Sequence, residues 1–457
     1  MPKSVPSAHS TQPRAPKPRS AEQLTADVLI IGGGPAGSSA AYHCAAQGLD
    51  TLVVDFADML EHPRDKTCGD GLTPRAVTAL QDMGAGHILA HRPAIEGLKL
   101  HGFGGSVTVP WPKQNRFAPQ GSAIARTELD TALLAHAVAS GARFRGGLRA
   151  VAAHTNKLRP SSVTNVRCVD TLAGEHPVDI RARWVLLAEG VRSRIARQLG
   201  VYWLRGMVHG VAARSYIRTP RGGEPWIHTD VELRDGQDQV QPGYGWVFPL
   251  GGDRANLGCG ALATDRYPVQ VGTKRLLHTY AEQVQGYWHH SGPTEITSAL
   301  LPMGGAVTRV AGANWAALGD TAALVNPLNG EGIDYALESG RLVAQAIGEA
   351  GPTGRRGAGG SLSRLWPDLL RSEYGHAFSI ARRLAVLIAV PGLLPSFGPL
   401  AMRGPTAAPV MGVAVRFMGN LVTAEDRDVA ARVFRAAGRV SGVWDRVAAA
   451  ESRPLFG

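Results

Sequence analysis

Val28 to Ile31 is an unbroken apolar run that a glycine-rich turn ends at once. That is the pattern of a short strand buried on both faces. An Ala-rich segment follows to Gln47 and stops at Gly48, and Thr51 to Val54 is a second apolar run ending on Asp55. The spacing predicts strand, turn, helix, strand, acid. Trp184 to Ala188 and Trp315 to Leu318 repeat the short buried run, each closing on an acid beside a glycine, Glu189-Gly190 and Gly319-Asp320. Helical patterns are predicted over Arg75–Met83, from Arg126 with an apolar face of Leu129, Leu133, Leu134 and Ala137, and from Ile333 through Gln345. Leu148 to Val151 reads as a further strand.

The middle of the chain has a different rhythm. Gly210–Ile217, Thr229–Leu233, Gly245–Leu250 and Ala255–Ala261 alternate, and Leu98–Val109 carries glycines suited to a hairpin. These predict a mostly antiparallel sheet with one face free to carry a substrate. From Leu362 onward the chain reads as helical, but the apolar stretch Leu384–Met402 is broken by Pro391, Pro395 and Pro399. A straight spanning helix is excluded there.

Composition and charge extend this picture. At 457 residues two or three lobes are expected. The net charge of +11 comes without a Lys/Arg block, zinc spacing or aromatic-basic interleaving, so no nucleic-acid partner is expected. After Ala381 ten arginines face five acidic residues beside the apolar segment, which suits an anionic membrane surface. The four cysteines, Cys44, Cys68, Cys168 and Cys259, show no paired spacing, as in a reduced, cytosolic setting. Residues 1–26, basic and rich in Pro and Ser, read as a disordered tail.

The first turn carries the chemistry. Gly32 allows the tight turn, Gly34 lets backbone approach a pyrophosphate, and Gly37 lets helix and strand pack closely. With Pro35 and Ala36 these open a helix whose N-terminus favours phosphate. Asp55, eighteen positions after Gly37, stands where a ribose diol hydrogen-bonds, favouring FAD or NAD over NADP. Arg126, beside the next helix start, reads by itself as a surface arginine with a phosphate as the alternative, and Cys68, the one cysteine in a predicted loop beside the cofactor, suits either close packing or chemistry. Glu331 reads as a first-turn acid and not as a catalyst.

Taken together, Gly32–Gly37, Leu187-Ala188-Glu189-Gly190 and Gly319-Asp320 with Pro327 and Gly330–Gly332 resemble the FAD-dependent hydroxylase superfamily, which usually has Asp-Gly in the middle motif. Residues 66–77, KTCGDGLTPRAV, with Tyr244-Gly245-Trp246-Val247-Phe248-Pro249 and residues 326–335, NPLNGEGIDY, are similar to the geranylgeranyl reductase family, including its members that saturate an isoprene unit of the menaquinone tail. The resemblance implies an α/β fold: a Rossmann-like FAD domain (27–95, 122–205, 302–350), an inserted β substrate domain (96–121, 206–301) and a helical C-terminal region (362–457). It implies FAD held by Gly32 to Gly37, Asp55, Lys66, Thr67, Cys68, Gly69, Arg126, Ala150, Asp320, Gly332 and Ile333. It also implies reduction of a C=C bond in a prenyl chain, most specifically the β-isoprene unit of menaquinone, by a peripheral enzyme on the cytoplasmic face of the membrane.

Tyr244, Trp246 and Phe248 share one strand face and are, with Pro249, the expected substrate grip. Cys68 is the expected catalytic group. Three other readings share these motifs: a flavin monooxygenase or halogenase, a geranylgeranyl reductase of another prenyl lipid, and a non-catalytic prenyl-lipid carrier. A halogenase would carry Trp-x-Trp-x-Ile-Pro where this chain has Tyr244 and Phe248. No second nicotinamide fingerprint identifies the electron donor.

Overall fold

The computed structural model describes residues 21–113, 116–204, 206–269, 271–351, 361–390, 392–423 and 425–447. The first layer is a seven-stranded sheet. Its central strand Glu22–Ile31 lies parallel to Thr51–Val54 on one side and to His176–Leu187 on the other. Trp315–Ala317 also runs parallel to His176–Leu187, and Arg159–Asp170 and Leu148–Asn156 continue the sheet antiparallel. The apolar run Val28–Ile31 is buried throughout. Helices Pro35–Ala46 and Ile333–Ala350 cover this sheet and cross closely, because a side chain on Gly340 would meet the Ala40 amide nitrogen at 2.5 Å.

The first strand begins earlier than the tail reading allowed. Residues 22–26 pair with Val178 to Ala182 and belong to the sheet. The tail expectation for residues 1–20, and the Gly/Arg stretch 352–360, lie outside the described residues.

The second sheet is also seven-stranded, built from Gly97–Gly102, Gly105–Pro110, His209–Arg218, Trp226–Asp230, Gly243–Gly251, Arg254–Ala263 and Thr294–Pro302. Every pair in it is antiparallel except Trp226–Asp230 with Gly97–Gly102. One face is closed by helix Thr273–Trp288, which the strand rhythm of the region concealed. Its Leu276, Leu277, Tyr280, Ala281, Val284 and Trp288 pack on Ala213, Val247, Leu257 and Cys259. With that face closed, the odd–even alternation of Gly243–Gly251 directs Tyr244, Trp246 and Phe248 to the opposite face, toward the first domain.

Beyond Ser361 the chain is helical: Leu362–Ile388, Leu393–Met402, Ala407–Met418 and Val429–Val447. Helix Leu362–Ile388 packs on the first domain through Trp366, Leu370, Tyr374 and Phe378. The next helix turns by 111° and docks on the tip of the 97–110 hairpin, where Gly105 leaves room for the Met402 carbonyl.

Candidate active site

The three glycines of the first turn have separate jobs, and the structure tells them apart. A side chain on Gly32, whose φ is +109°, would meet the Ala188 carbonyl oxygen at 2.3 Å, and one on Gly37 would meet the Gly32 oxygen at 1.8 Å. Both are fixed by protein packing. Gly34 has an ordinary backbone (φ −73°), and a side chain there would meet nothing nearer than Asp130 Oδ2 at 3.8 Å. Its missing side chain therefore leaves open space at the N-terminus of helix Pro35–Ala46, where first-turn amides such as those of Ala36 and Gly37 lack helical acceptors. This is the cradle a pyrophosphate needs, so the residues fit a bound dinucleotide.

Asp55 is buried at the end of its strand. It accepts from the Gly33 amide at 2.8 Å and from the Ala57 amide at 3.0 Å, and pairs with Arg64 at 3.2 Å. These bonds aim the carboxylate along the turn. The Leu148 amide donates to the Asp55 carbonyl at 2.9 Å, which brings the strand carrying Ala150 beside the same edge. Lys66 donates to Asp320 at 2.8 Å, and a side chain on Gly332 would lie 3.4 Å from Asp320. Thus Lys66, Asp320 and the helix start at Gly332–Ile333 converge, although the three segments are far apart in the chain. Burial tends to raise the Asp320 carboxyl, but the Lys66 ammonium outweighs it and holds it below the usual range.

Arg126 is buried and makes a two-pronged pair with Asp130, both contacts at 2.7 Å. Asp130 is the acid nearest the open side of Gly34, so Arg126 cancels a charge that would repel a phosphate. Glu189, the longer acid of the middle motif, accepts from Ser193 and from the Arg194 amide. It caps the short helix Arg194–Gln198 and serves a structural end. Glu331 precedes helix Ile333–Ala350 by two residues and is not a first-turn acid.

The sheet face meets this site directly. The rings of Tyr244, Trp246 and Phe248 form a row with centroid spacings of 5.8 and 6.0 Å. Phe248 lies against Gly69 and Gly71, where any side chain would come within 3 Å of its ring. Tyr244 donates its hydroxyl to the Asn329 carbonyl. The aromatic row therefore spans from the 66–71 loop to the 329–330 turn. Pro249 does not join it: it pairs with Ala255 and shares the alternation of Val247, which packs on helix Thr273–Trp288. Its ring is turned away from the aromatic face, and it is not part of the grip.

Two further side chains fasten the sheet to the loop, and reading the sequence had not singled them out. Arg214 donates to the Lys66 carbonyl at 3.1 Å and pairs with Asp65. Asn256 donates to the Cys68 carbonyl and to Asp70, both at 2.8 Å, and accepts from the Trp246 indole at 3.0 Å. One signal was present in the sequence. Gly258 and Gly260 interrupt an apolar strand, and isolated glycines there mark close approach. A side chain on Gly258 would sit 2.1 Å from the Trp246 indole, and one on Gly260 3.6 Å from it.

Cys68 is half-buried and accepts from the Asp70 amide at 3.4 Å. Burial raises its thiol above the ordinary value, against the lowering effect of Arg126. A nucleophilic thiolate is thereby disfavoured. Asp70 is fully buried, and burial pushes its carboxyl up to about 6 despite the bond from Asn256.

Comparison with known proteins agrees with this geometry. A domain profile described as an FAD binding domain matches residues 25–217. Menaquinone reductase of Mycobacterium tuberculosis is 46% identical over 92% of this chain and 98% of its own length. Digeranylgeranylglycerophospholipid reductase 1 of Methanopyrus kandleri is 29% identical, over 79% of this chain and 90% of its own. Among solved structures, a geranylgeranyl bacteriochlorophyll reductase-like protein of Thermoplasma acidophilum superposes with a TM-score of 0.71 at 20% identity, covering 91% of this chain and all (100%) of that one. A flavin-dependent brominase superposes at 0.67 with 16% identity, covering 93% of this chain and 100% of its own, a likeness of fold alone.

Proposed function

This chain belongs to the menaquinone reductases of the geranylgeranyl reductase family, FAD-dependent oxidoreductases that act on prenyl chains, and we propose that it saturates one C=C bond of the menaquinone side chain, in the β-isoprene unit. The observation that carries this reading is the row Tyr244–Trp246–Phe248 standing against Gly69 and Gly71 of the cofactor loop.

Gly32 to Gly37, Asp55, Lys66, Asp320, Gly332 and Ile333 would hold FAD. Once reduced, the cofactor supplies the hydride. The chain's own residues bind and orient the tail and exclude water. An isoprene double bond has no carbonyl to polarise it, so positive charge grows on carbon as a proton arrives. Aromatic faces stabilise such charge, and a dry wall keeps water from quenching it. Phe248 also packs on an apolar cluster that includes Ile95, Leu100, Val107, Trp111, Met402 and Val415. That cluster joins the C-terminal helices to the aromatic row. Cells with and without this protein should differ in one tail mass: deletion should leave menaquinone lighter by two hydrogens, and an unchanged menaquinone pool would refute the substrate.

We also propose peripheral attachment to the cytoplasmic face of the membrane. No single helix among the described residues is long and apolar enough to cross a membrane, whereas Leu362–Ile388 and Leu393–Met402 form a long apolar pair bent by 111°. Phe397, Leu400, Val410 and Val413 are exposed on the C-terminal helices, and the last helix exposes Val429, Val433, Val440 and Trp444. Basic side chains beside such a surface favour anionic lipid. Binding to anionic vesicles should weaken as salt rises, since charges are screened beyond about 8 Å at physiological ionic strength. The double variant Phe397→Asp, Leu400→Asp should release the protein. Salt-independent binding, equal on neutral and anionic vesicles, would remove the electrostatic part.

A further inference from the structure

Alkene reduction needs a proton as well as a hydride, and the structure points to its source. Behind the turn that carries Gly330 and Gly332, three carboxyl groups gather around one guanidinium. Arg75 makes a two-pronged pair with Glu338, at 2.7 and 2.6 Å, and lies 3.7 Å from Asp334. Asp334 is fully buried, and neither of its oxygens has a hydrogen-bond partner among the described residues. Glu331 accepts from the Thr73 hydroxyl at 2.5 Å and from the Asn329 amide group at 3.3 Å.

The groups that face this cluster come from several elements. Helix Pro74–Asp82 brings Arg75, and helix Ile333–Ala350 brings Asp334, Tyr335 and Glu338. Helix Leu362–Ile388 brings Tyr374, whose hydroxyl donates to Glu338 at 2.9 Å. The sheet brings Tyr244, whose hydroxyl donates to the Asn329 carbonyl two residues before Glu331. Arg75 is the cation paired with Glu338 and beside Asp334, and Arg341, Arg116 and His43 line the space next to Arg75 and Glu338. Asp334 is sealed without a hydrogen-bond partner among the described residues, so the cluster retains a proton near neutrality. Burial pushes the Glu331 carboxyl up to about 7, against the bond from Thr73 and the charge of Arg75. Burial, then the charge of Glu331, holds Asp334 well above the carboxylate range.

Of the three, Glu331 stands nearest the cofactor loop and the aromatic row. It is partly exposed, whereas Asp334 is sealed and Glu338 is committed to Arg75. Asp70, the other buried acid nearby, has no exposure and is held by Asn256.

Building on prenyl-chain reduction as the reaction, we propose that Glu331 delivers the proton to the alkene and that the buried acids behind it, Asp334 and Glu338, form the store that recharges it. The Glu331 O–H bond breaks as a C–H bond forms at one alkene carbon. Hydride from the reduced FAD makes the second C–H bond, and the cofactor leaves two electrons more oxidised. Glu331 remains as carboxylate and is recharged through the cluster.

The test is Glu331→Gln, read in two ways. In the cofactor-free protein, infrared titration should show a protonated carboxyl band that is lost as pH rises through neutrality, and the variant should lack it. In the loaded enzyme kcat should fall about 10²–10⁴-fold, with KM and the flavin spectrum held and Glu331→Asp partly restoring it. Glu338→Gln gives an independent reading. It removes a charge that raises the Glu331 carboxyl and frees Arg75, so activity should be lost at lower pH than in the parent. Turnover within about threefold of the parent in Glu331→Gln, with loss in Cys68→Ser instead, overturns the assignment. So does loss of flavin in Glu331→Gln, or an unmoved pH profile in Glu338→Gln. Failure of the parent to saturate any prenyl chain strikes the reaction and leaves the carboxyl titration standing.

Discussion

Gly34→Val yields a folded, colourless protein. The backbone at Gly34 is extended and open to any residue, and its missing side chain points into space with no protein atom nearer than 3.8 Å. The fold therefore accepts valine, but the pyrophosphate does not, because the new methyl groups stand where its oxygens must meet the first-turn amides. Two charge-assisted hydrogen bonds at roughly 1.5–3 kcal/mol each are at stake. Their loss weakens FAD binding by about a hundredfold or more. Gly37→Val should behave differently, since its side chain would start 1.8 Å from the Gly32 oxygen. That variant should fail to fold. Thermal melting of the two apo-proteins, with flavin absorbance after reconstitution, separates them. A yellow Gly34→Val, or a Gly34→Val that unfolds like Gly37→Val, would mean that the turn is built for packing alone.

Gly258→Val and Trp246→Ala attack the substrate wall from its two sides. The first forces the indole off the sheet, because a side chain on Gly258 would lie 2.1 Å from it. The second removes the indole. Misplacing a positioning group in this way costs turnover on the order of a hundredfold. Both changes lie on the sheet, away from Gly32–Gly37, so the flavin spectrum should persist. Trp246→Ala also strips the donor from Asn256, which holds the Cys68 carbonyl, so some added mobility of the 68–70 loop is expected. Because each change destroys one shared wall, the double variant should lose little more than either single one. Multiplicative losses would show that Gly258 and Trp246 act separately, and loss of flavin in either would show that the row supports cofactor and not substrate.

The site was legible in the sequence where its chemistry is local. Gly32, Gly34 and Gly37 announce their roles by spacing, because each constraint lies within one turn and its adjoining helix. Lys66 and Asp320 could be named only by resemblance, since their ion pair joins distant segments. For Arg126 the sequence shows a cation near a helix start but not that the buried Asp130 one turn further on holds its guanidinium. Pro249 was misjudged. It was grouped with its neighbours along the chain, while alternation already placed it on the face opposite Phe248. Helix Thr273–Trp288 was hidden inside a run of strands, although Leu276, Leu277, Tyr280 and Val284 keep helical spacing. The acid cluster was beyond reach, because Thr73 and Arg75 meet Glu331 and Glu338 only after two helices dock.

The central claim is that reduced enzyme saturates the tail and spares the ring. Purified protein, reduced and kept free of oxygen, is mixed with menaquinone, returned to air to reoxidise any quinol, and the lipid is fragmented in a mass spectrometer. The tail fragment should be heavier by two hydrogens and the ring fragment unaltered, in proportion to flavin reoxidised. A product that gains oxygen, or a tail of unchanged mass after the flavin has been oxidised, would contradict it.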